Sequence, residues 1–273
     1  MKKYILIGLL AIISTITSVQ AQEERNHGII WSALHGLEYE IKAGFNVGGA
    51  SPLPLPAEIR ALTGYSPTIC FAIEGNTTKW FGKDSKWGMT LGLRLETKGM
   101  EARARVKNYS MEIIGDGGER LAGYWTGKVR TKYRGSYFSV PITAAYKISQ
   151  RVKINAGPYV SFMTSGDFNG HVNDGYLRKD TPTGEKAEFE GDKIAPYDFS
   201  KDLNNFQWGV QAGAEWKAFK HLNVYADLVW GLNDIFKKEF KTITFNMYPI
   251  YLNVGFGYCL LYTSPSPRDS TSS

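Results

Sequence analysis

Apolar and polar residues alternate along most of the chain. Between positions 37 and 47, Leu37, Tyr39, Ile41, Ala43, Phe45 and Val47 take every second place, with Glu38, Glu40, Lys42, Gly44 and Asn46 between them. A period of two puts successive side chains on opposite faces, which predicts a strand with one apolar and one polar face. The pattern returns over 67–74, 87–98, 137–146, 152–162, 206–216, 222–231 and 250–258, so eight strands are expected. Their connections run long and short in strict turn. The long ones are 48–66, 99–135, 163–205 and 232–248, and the short ones 82–86, 149–151 and 217–221. Tight turns on one rim and long loops on the other are the plan of an up-and-down transmembrane β-barrel with its N-terminus on the periplasmic side. A β-sandwich has no reason to alternate its connections in this way.

The two faces agree with a barrel in lipid. Five or six apolar side chains on one face of a strand make a band about 25 Å tall. Trp80, Trp87, Tyr146, Phe162, Trp208, Trp216, Trp230 and Tyr258 fall near strand ends, the headgroup level favoured by amphipathic rings. Pro141 and Pro158 lack a ladder donor, which predicts a bulge or weakened pairing beside them. The polar face carries Glu40, Lys42, Glu74, Arg94, Glu96, Lys153, Gln211, Glu215 and Asp227. Eight strands leave a lumen just wide enough for side chains, so opposite charges are expected to pair across it. The alternative is a narrow selective pore.

Composition narrows the field further. With 273 residues, 43% apolar and 14% aromatic, the chain is too hydrophobic to be disordered. Two cysteines exclude a disulfide scaffold or a cysteine-rich zinc module. Lys2 and Lys3, an apolar run to about Ile16 and the small-residue site Val19-Gln20-Ala21 predict a cleaved secretory signal over 1–21. At the other end, 259–273 resembles the translated read-through of a sequencing-library adapter and is expected to be non-native. The expected barrel domain is therefore 22–258. Removing Lys2 and Lys3, with Arg268 offset by Asp269, takes the net charge from +6 to +4.

The sequence points to no catalytic, cofactor or metal site. His27, His35, His171 and His221 form no two-histidine spacing, and His171-Val-Asn-Asp174 reads as a solvated loop. More telling is the second long connection, with Arg103, Arg105 and Lys107 on its ascending limb and Lys128, Arg130, Lys132 and Arg134 on its descending limb. Each set alternates, so a hairpin above the membrane would place each on a single face. Those bases would stand above the outer leaflet, where lipopolysaccharide phosphates suit them by charge and geometry. No stacking platform accompanies them, which argues against nucleic acid as a partner. In the first long connection, Ser51-Pro-Leu-Pro-Leu-Pro predicts an extended stretch, followed by a helical turn over 57–63, together forming a lid on the mouth. The third, rich in Gly, Asp and Lys, is the expected meeting place for an external protein or glycan partner.

Several segments resemble the porin-family, PorT-like outer-membrane β-barrel domain of Gram-negative anaerobes. Trp31-Ser-Ala-Leu-His-Gly-Leu-Glu-Tyr-Glu-Ile-Lys-Ala-Gly-Phe-Asn46 resembles its first strand, and Ser51-Pro-Leu-Pro-Leu-Pro-Ala-Glu-Ile-Arg60 the loop after it. Tyr137-Phe-Ser-Val-Pro-Ile142 and Ala156-Gly-Pro-Tyr-Val160 resemble later strands. The family stops at an aromatic that serves as an assembly signal, whereas this chain departs from the pattern after Gly257-Tyr258. The resemblance implies a multi-pass barrel in the outer membrane, inserted with the barrel-assembly machinery. It implies little about activity, since one barrel plan hosts pores, adhesins, enzymes and secretion parts. The expected function is a non-enzymatic surface protein contacting lipopolysaccharide, against a narrow porin or a PorT-like secretion accessory.

Overall fold

A computed structural model describes residues 37–81, 86–114, 118, 120–179, 181–189 and 193–262. The expected signal 1–21, His27, His35 and tail residues 263–273 lie outside the described residues. Within them the chain forms β1 (Leu37–Pro52), β2 (Ile59–Pro67), β3 (Cys70–Trp80), β4 (Trp87–Ile114), β5 (Arg120–Lys147) and β6 (Val152–Lys179). After these come β7 (Lys186–Phe189), β8 (Ala195–Asp198), β9 (Phe206–Lys217), β10 (Leu222–Gly231) and β11 (Met247–Tyr262).

The eight expected strands are β1, β3, β4, β5, β6, β9, β10 and β11, and they close into an antiparallel ring. Closure is made by β11 against β1, through pairs such as Tyr258 with Ile41 and Val254 with Phe45. A closed ring leaves no unpaired edge in the hydrocarbon, where an unsatisfied backbone group would cost several kcal/mol. Tight turns join strands on one rim: Ile148 and Ser149 donate to the Val152 carbonyl, and Ala218 and Phe219 to that of Leu222. The prolines interrupt the ladders. Pairing of β5 with β6 skips from Pro141–Tyr159 to Ala144–Ala156, and pairing of β4 with β5 skips from Leu91–Ile142 to Arg94–Ser139. β11 continues past Tyr258, with Cys259 opposite Glu40 and Tyr262 opposite Glu38.

The long connections differ from expectation. Most of 99–135 and the first half of 163–205 are strand, because β4, β5 and β6 each run for 28 residues. At about 3.4 Å per residue and a tilt of roughly 40°, such a strand rises about 70 Å, against an apolar band of about 25 Å. The reason is visible in the alternation, which persists but inverts. In the lower part of β4, Leu91, Leu93 and Leu95 face outward and Arg94 and Glu96 are buried inside. Higher up, Arg103, Arg105 and Lys107 face outward, while Met100 and Val106 are buried inside. Outside the wall, lipid has given way to water, so the apolar residues move to the interior.

The first long connection also departs from expectation: one hydrogen-bonded turn closes from Ile59 to Pro56, but strand follows it and no lid forms. Residues Ile59–Pro67 are β2, which lies along the upper part of β4 from Val106 to Met100. β3 reaches no higher than its first residue, Cys70, so β4 would otherwise carry a row of unpaired backbone groups above that level. β2 takes them up, extending the wall instead of crossing the mouth. Tyr65 fixes it by donating its hydroxyl to the Gly48 carbonyl at 2.6 Å. On the far side, β7 and β8 pair with the upper part of β6.

Candidate functional site

Above a small opening of about 50 Å³ at the tight-turn rim, lined by Glu38, Trp80, Lys147 and Lys153 among others, the lumen is filled. Near the tight-turn rim, Lys153 stands 2.7 Å from Glu215, 3.7 Å from Glu40 and 3.9 Å from Glu38. Lys42 is paired with Glu215 and lies 3.6 Å from Asp227, which also accepts from Asn155 at 3.1 Å. Next, Arg94 donates to Glu74 and, at 3.0 Å, to Gln211 on β9, so its side chain spans the bore. Above it, Glu96 accepts from Ser139 at 2.7 Å and Asn46 at 3.0 Å, and Lys98 lies 3.1 Å away. The structure thus brings Glu40, Lys42, Arg94, Glu96, Lys153, Glu215 and Asp227 onto one interior surface. The cavity left among Lys42, Glu74, Asn155 and Glu215 is about 10 Å³, barely the room one water needs.

A collar of tyrosines joins this charged column to an apolar cap. The Lys98 ammonium sits 5.0, 5.3 and 5.9 Å from the ring centres of Tyr137, Tyr159 and Tyr251. Each ring offers an electron-rich face to a cation. Tyr133 is hydrogen-bonded to Tyr137, whose hydroxyl accepts from Gln207 at 3.0 Å. Above the collar the inward positions of β4, β5 and β6 pack with β8, the 232–246 connection and the start of β11. Trp125, Phe168, Val172, Leu177, Ile235 and Phe236 are buried there. Phe168 meets Phe236 edge-on at 4.9 Å, and Phe199 meets Phe240 at 5.0 Å. Sequence reasoning missed this cap, although the alternation of Met100, Ala102, Ala104 and Val106 with charged neighbours was its signal.

The outer cations lie on one wall. Arg103 is directly opposite Arg130, and Arg105 opposite Lys128, across the β4–β5 ladder. Like charges facing each other would repel, and two acids temper this. Glu101 lies 2.7 Å from Arg130 and 3.4 Å from Arg103, and Asp174 on β6 lies 2.7 Å from Lys128. Slight desolvation raises the Glu101 carboxyl, but the hydrogen bond and charge of Arg130, helped by Arg103, hold it below its usual value. Among the described residues, Arg105, Lys107, Lys132 and Arg134 have no carboxylate within 4 Å. The set is not level with one plane. Arg134 and Lys132 rise about 10 and 15 Å above Phe138 on β5, whereas Lys128, Arg105 and Lys107 stand about 25 to 30 Å above the band.

His171 lies half-buried on β6 opposite Arg130, and Asp174 points to Lys128 rather than to it. Burial and the neighbouring Arg130 lower the His171 pKa. No group of three His, Cys, Asp or Glu able to hold a metal occurs among the described residues. Cys70 and Cys259 are both free and buried.

Comparison with known proteins gives a family. The outer membrane protein beta-barrel domain matches residues 20–237. No curated protein matches the chain. Three similar solved structures are Ail, the attachment invasion locus protein of Yersinia pestis, in complex with the heparin analogue sucrose octasulfate, Neisserial surface protein A, and the P. putida toluene transporter TodX. Ail is 10% identical over 82% of this chain and 98% of its own, with a TM-score of 0.34. Neisserial surface protein A is 10% identical over 82% and 96%, at 0.29, and TodX 9% over 82% and 89%, at 0.22. None of these values bears on ligand or activity.

Proposed function

The chain belongs to the outer membrane protein beta-barrel domain family, and from that premise we propose a non-enzymatic surface protein whose working part is the outside of its wall. In this reading the signal over 1–21 directs export, the barrel-assembly machinery inserts the chain in a Gram-negative outer membrane, and the lumen does not conduct. One observation carries it: above a small opening at the tight-turn rim the bore is occupied, by ion pairs below and by the Trp125–Phe236 cluster above. A solute would have to break buried ion pairs, and stripping one partner from such a pair costs about 3–5 kcal/mol. What remains available to partners is the outward face of β4 and β5. Its lowest cations, Arg134 and Lys132, stand where lipopolysaccharide phosphates lie, with Arg130 and Arg103 next above.

Planar-bilayer recording tests the closed lumen. The refolded protein is expected to give no stable openings, and discrete, long-lived conductance steps would overturn the reading in favour of a narrow porin. Association with lipid A vesicles tests the outer face: neutralising Lys132 and Arg134 is expected to weaken it, and unchanged association would end the lipopolysaccharide assignment. Loss of secreted cargo on deletion would instead favour a PorT-like secretion accessory.

A further inference from the structure

High on the same wall, three neighbouring strands are irregular at one level. The β4–β5 register shifts between Val106 and Tyr109, and the β5–β6 register between Thr126 and Lys128. Asn108 and Asp174 there adopt left-handed backbone, with φ of 52° and 48°, a conformation their short polar side chains tolerate better than most. Gly127 and Gly175 lie against each other. A Cβ on Gly175 would fall 2.2 Å from the Thr126 carbonyl oxygen, and one on Gly127 would fall 2.7 Å from the Gly175 Cα. The strands therefore bend together, and the two glycines let the backbones of β5 and β6 approach closely there.

The bend makes an open groove of about 500 Å³, lined by Arg60, Arg105, Lys107, Lys128, Asp174 and Tyr176, among others. Four cations from three strands meet one carboxylate, which is already paired with Lys128. Among the described residues Arg60, Arg105 and Lys107 have no carboxylate within 4 Å. Arg60 reaches the groove because β2 runs beside β4, and the Lys107 amide donates to the Glu58 carbonyl at 2.8 Å, tying the two strands together. A concave surface with a net charge of +3 from these lining groups suits clustered oxyanions, to which arginine can present two parallel donors. Its height excludes the leaflet itself. Arg105 and Lys128 stand about 25 Å above the apolar band, beyond two Debye lengths at physiological salt.

We propose that this groove is a second oxyanion site, taking neighbouring phosphate or sulfate esters on a saccharide chain that stands above the membrane. It rests on the reading of β4 and β5 as an extracellular wall, and it is separate from the contact of Lys132 and Arg134 with the leaflet. Arg60, Arg105 and Lys107 hold the anion, and Asp174 restrains Lys128 until the anion arrives.

The test uses the full chain refolded in detergent, with sodium tripolyphosphate as the probe, titrated calorimetrically at low ionic strength. The variant Arg60→Gln/Arg105→Gln/Lys107→Gln is expected to bind it at least about tenfold more weakly. Lys132→Gln/Arg134→Gln is expected to bind it as the parent does, and Asp174→Asn, which frees Lys128 and keeps a residue tolerant of left-handed backbone, more tightly. Heat-modifiable migration on a gel shows that each variant is folded. Absence of binding by the parent, unchanged binding by the triple variant, or weaker binding by Asp174→Asn would overturn the proposal. Lipid A vesicles form the second arm. If their association ignores Lys132→Gln/Arg134→Gln while the triple variant still loses tripolyphosphate, the leaflet contact fails and the groove stands.

Discussion

Replacing Arg94 by methionine probes whether the charged column holds the barrel together. The side chain is buried, reaching from β4 to Glu74 on β3 and across the bore to Gln211 on β9. Glu74 has no other cation within 4 Å among the described residues, whereas Glu96 keeps Lys98 at 3.1 Å. Methionine fills much of the same volume, so the main loss is electrostatic: one buried carboxylate is left without a partner, at about 3–5 kcal/mol. With a urea dependence of about 2 kcal/mol per molar, the unfolding midpoint should fall by roughly 2 M. The assay is the loss of the heat-modifiable, fast-migrating gel form across a urea series. The paired change Glu74→Gln/Arg94→Met is the control. It removes both charges, and the interior balance of six carboxylates (Glu38, Glu40, Glu74, Glu96, Glu215, Asp227) against four cations (Lys42, Arg94, Lys98, Lys153) keeps the same difference among the described residues. Most of the stability should return. If the double variant is as fragile as Arg94→Met, or if Arg94→Met unfolds like the parent, the ion pair is not what holds the column.

Three further outcomes follow from the same geometry. Trp125→Ala empties a fully buried site in the apolar cap and should cost about 3–5 kcal/mol, exposing 99–135 to trypsin while the gel shift of the barrel persists; simultaneous loss of both would mean that cap and barrel are one unit. Cutting Phe236, Phe240 and Tyr251 to alanine should loosen the cap without opening the bore, because the ion pairs of Lys42, Arg94 and Lys153 still fill it below; discrete conductance steps in a planar bilayer would mean that the charged column does not close the lumen by itself. Hydrogen bonds from the Ser200 hydroxyl at 2.6 Å and amide at 2.9 Å hold the Asp198 carboxyl below its usual pKa. That contribution is complete above the unfolded value, about 3.9, and is lost as pH falls through the lowered folded value. The protection of the Ser200 amide, its exchange rate relative to the intrinsic rate at each pH, should therefore fall on acidification, and Ser200→Ala should show a smaller change.

The membrane-spanning half was legible because lipid imposes a simple rule on each strand. Phe45, Ile73, Leu93, Ile142, Val210 and Leu252 alternate with polar partners from one end of the band to the other, and all of them face outward in the structure. The interior charges follow from the same parity. The upper half was only partly legible, because there the rule reverses. The alternating bases Arg103, Arg105, Arg130 and Lys132 revealed a hairpin, but their neighbours Met100, Val106, Val129 and Tyr133 were not recognised as the start of a second core. β2 was misread for a different reason. Its strand conformation is fixed by the vacant edge of β4 above Cys70, which is a property of the sheet and not of residues 59–67.

The reversal also explains how the interior comes to be filled in two different ways. Eight strands leave no open bore, so every inward position must be filled, whatever surrounds the wall. Where lipid claims the apolar face, the filling has to be polar, and charge is tolerable there only when paired, as with Lys42, Glu215 and Lys153. Where water surrounds the wall, the filling can be apolar, and Trp125, Phe168 and Phe236 take it. The junction between the two fillings needs side chains that are aromatic along their length and polar at the tip. Tyr133, Tyr137, Tyr159 and Tyr251 are such side chains, with Lys98 among three of them. Both fillings are committed to packing, whereas among the described residues Arg60, Arg105, Lys107, Lys132 and Arg134 stand outside them with no carboxylate within 4 Å.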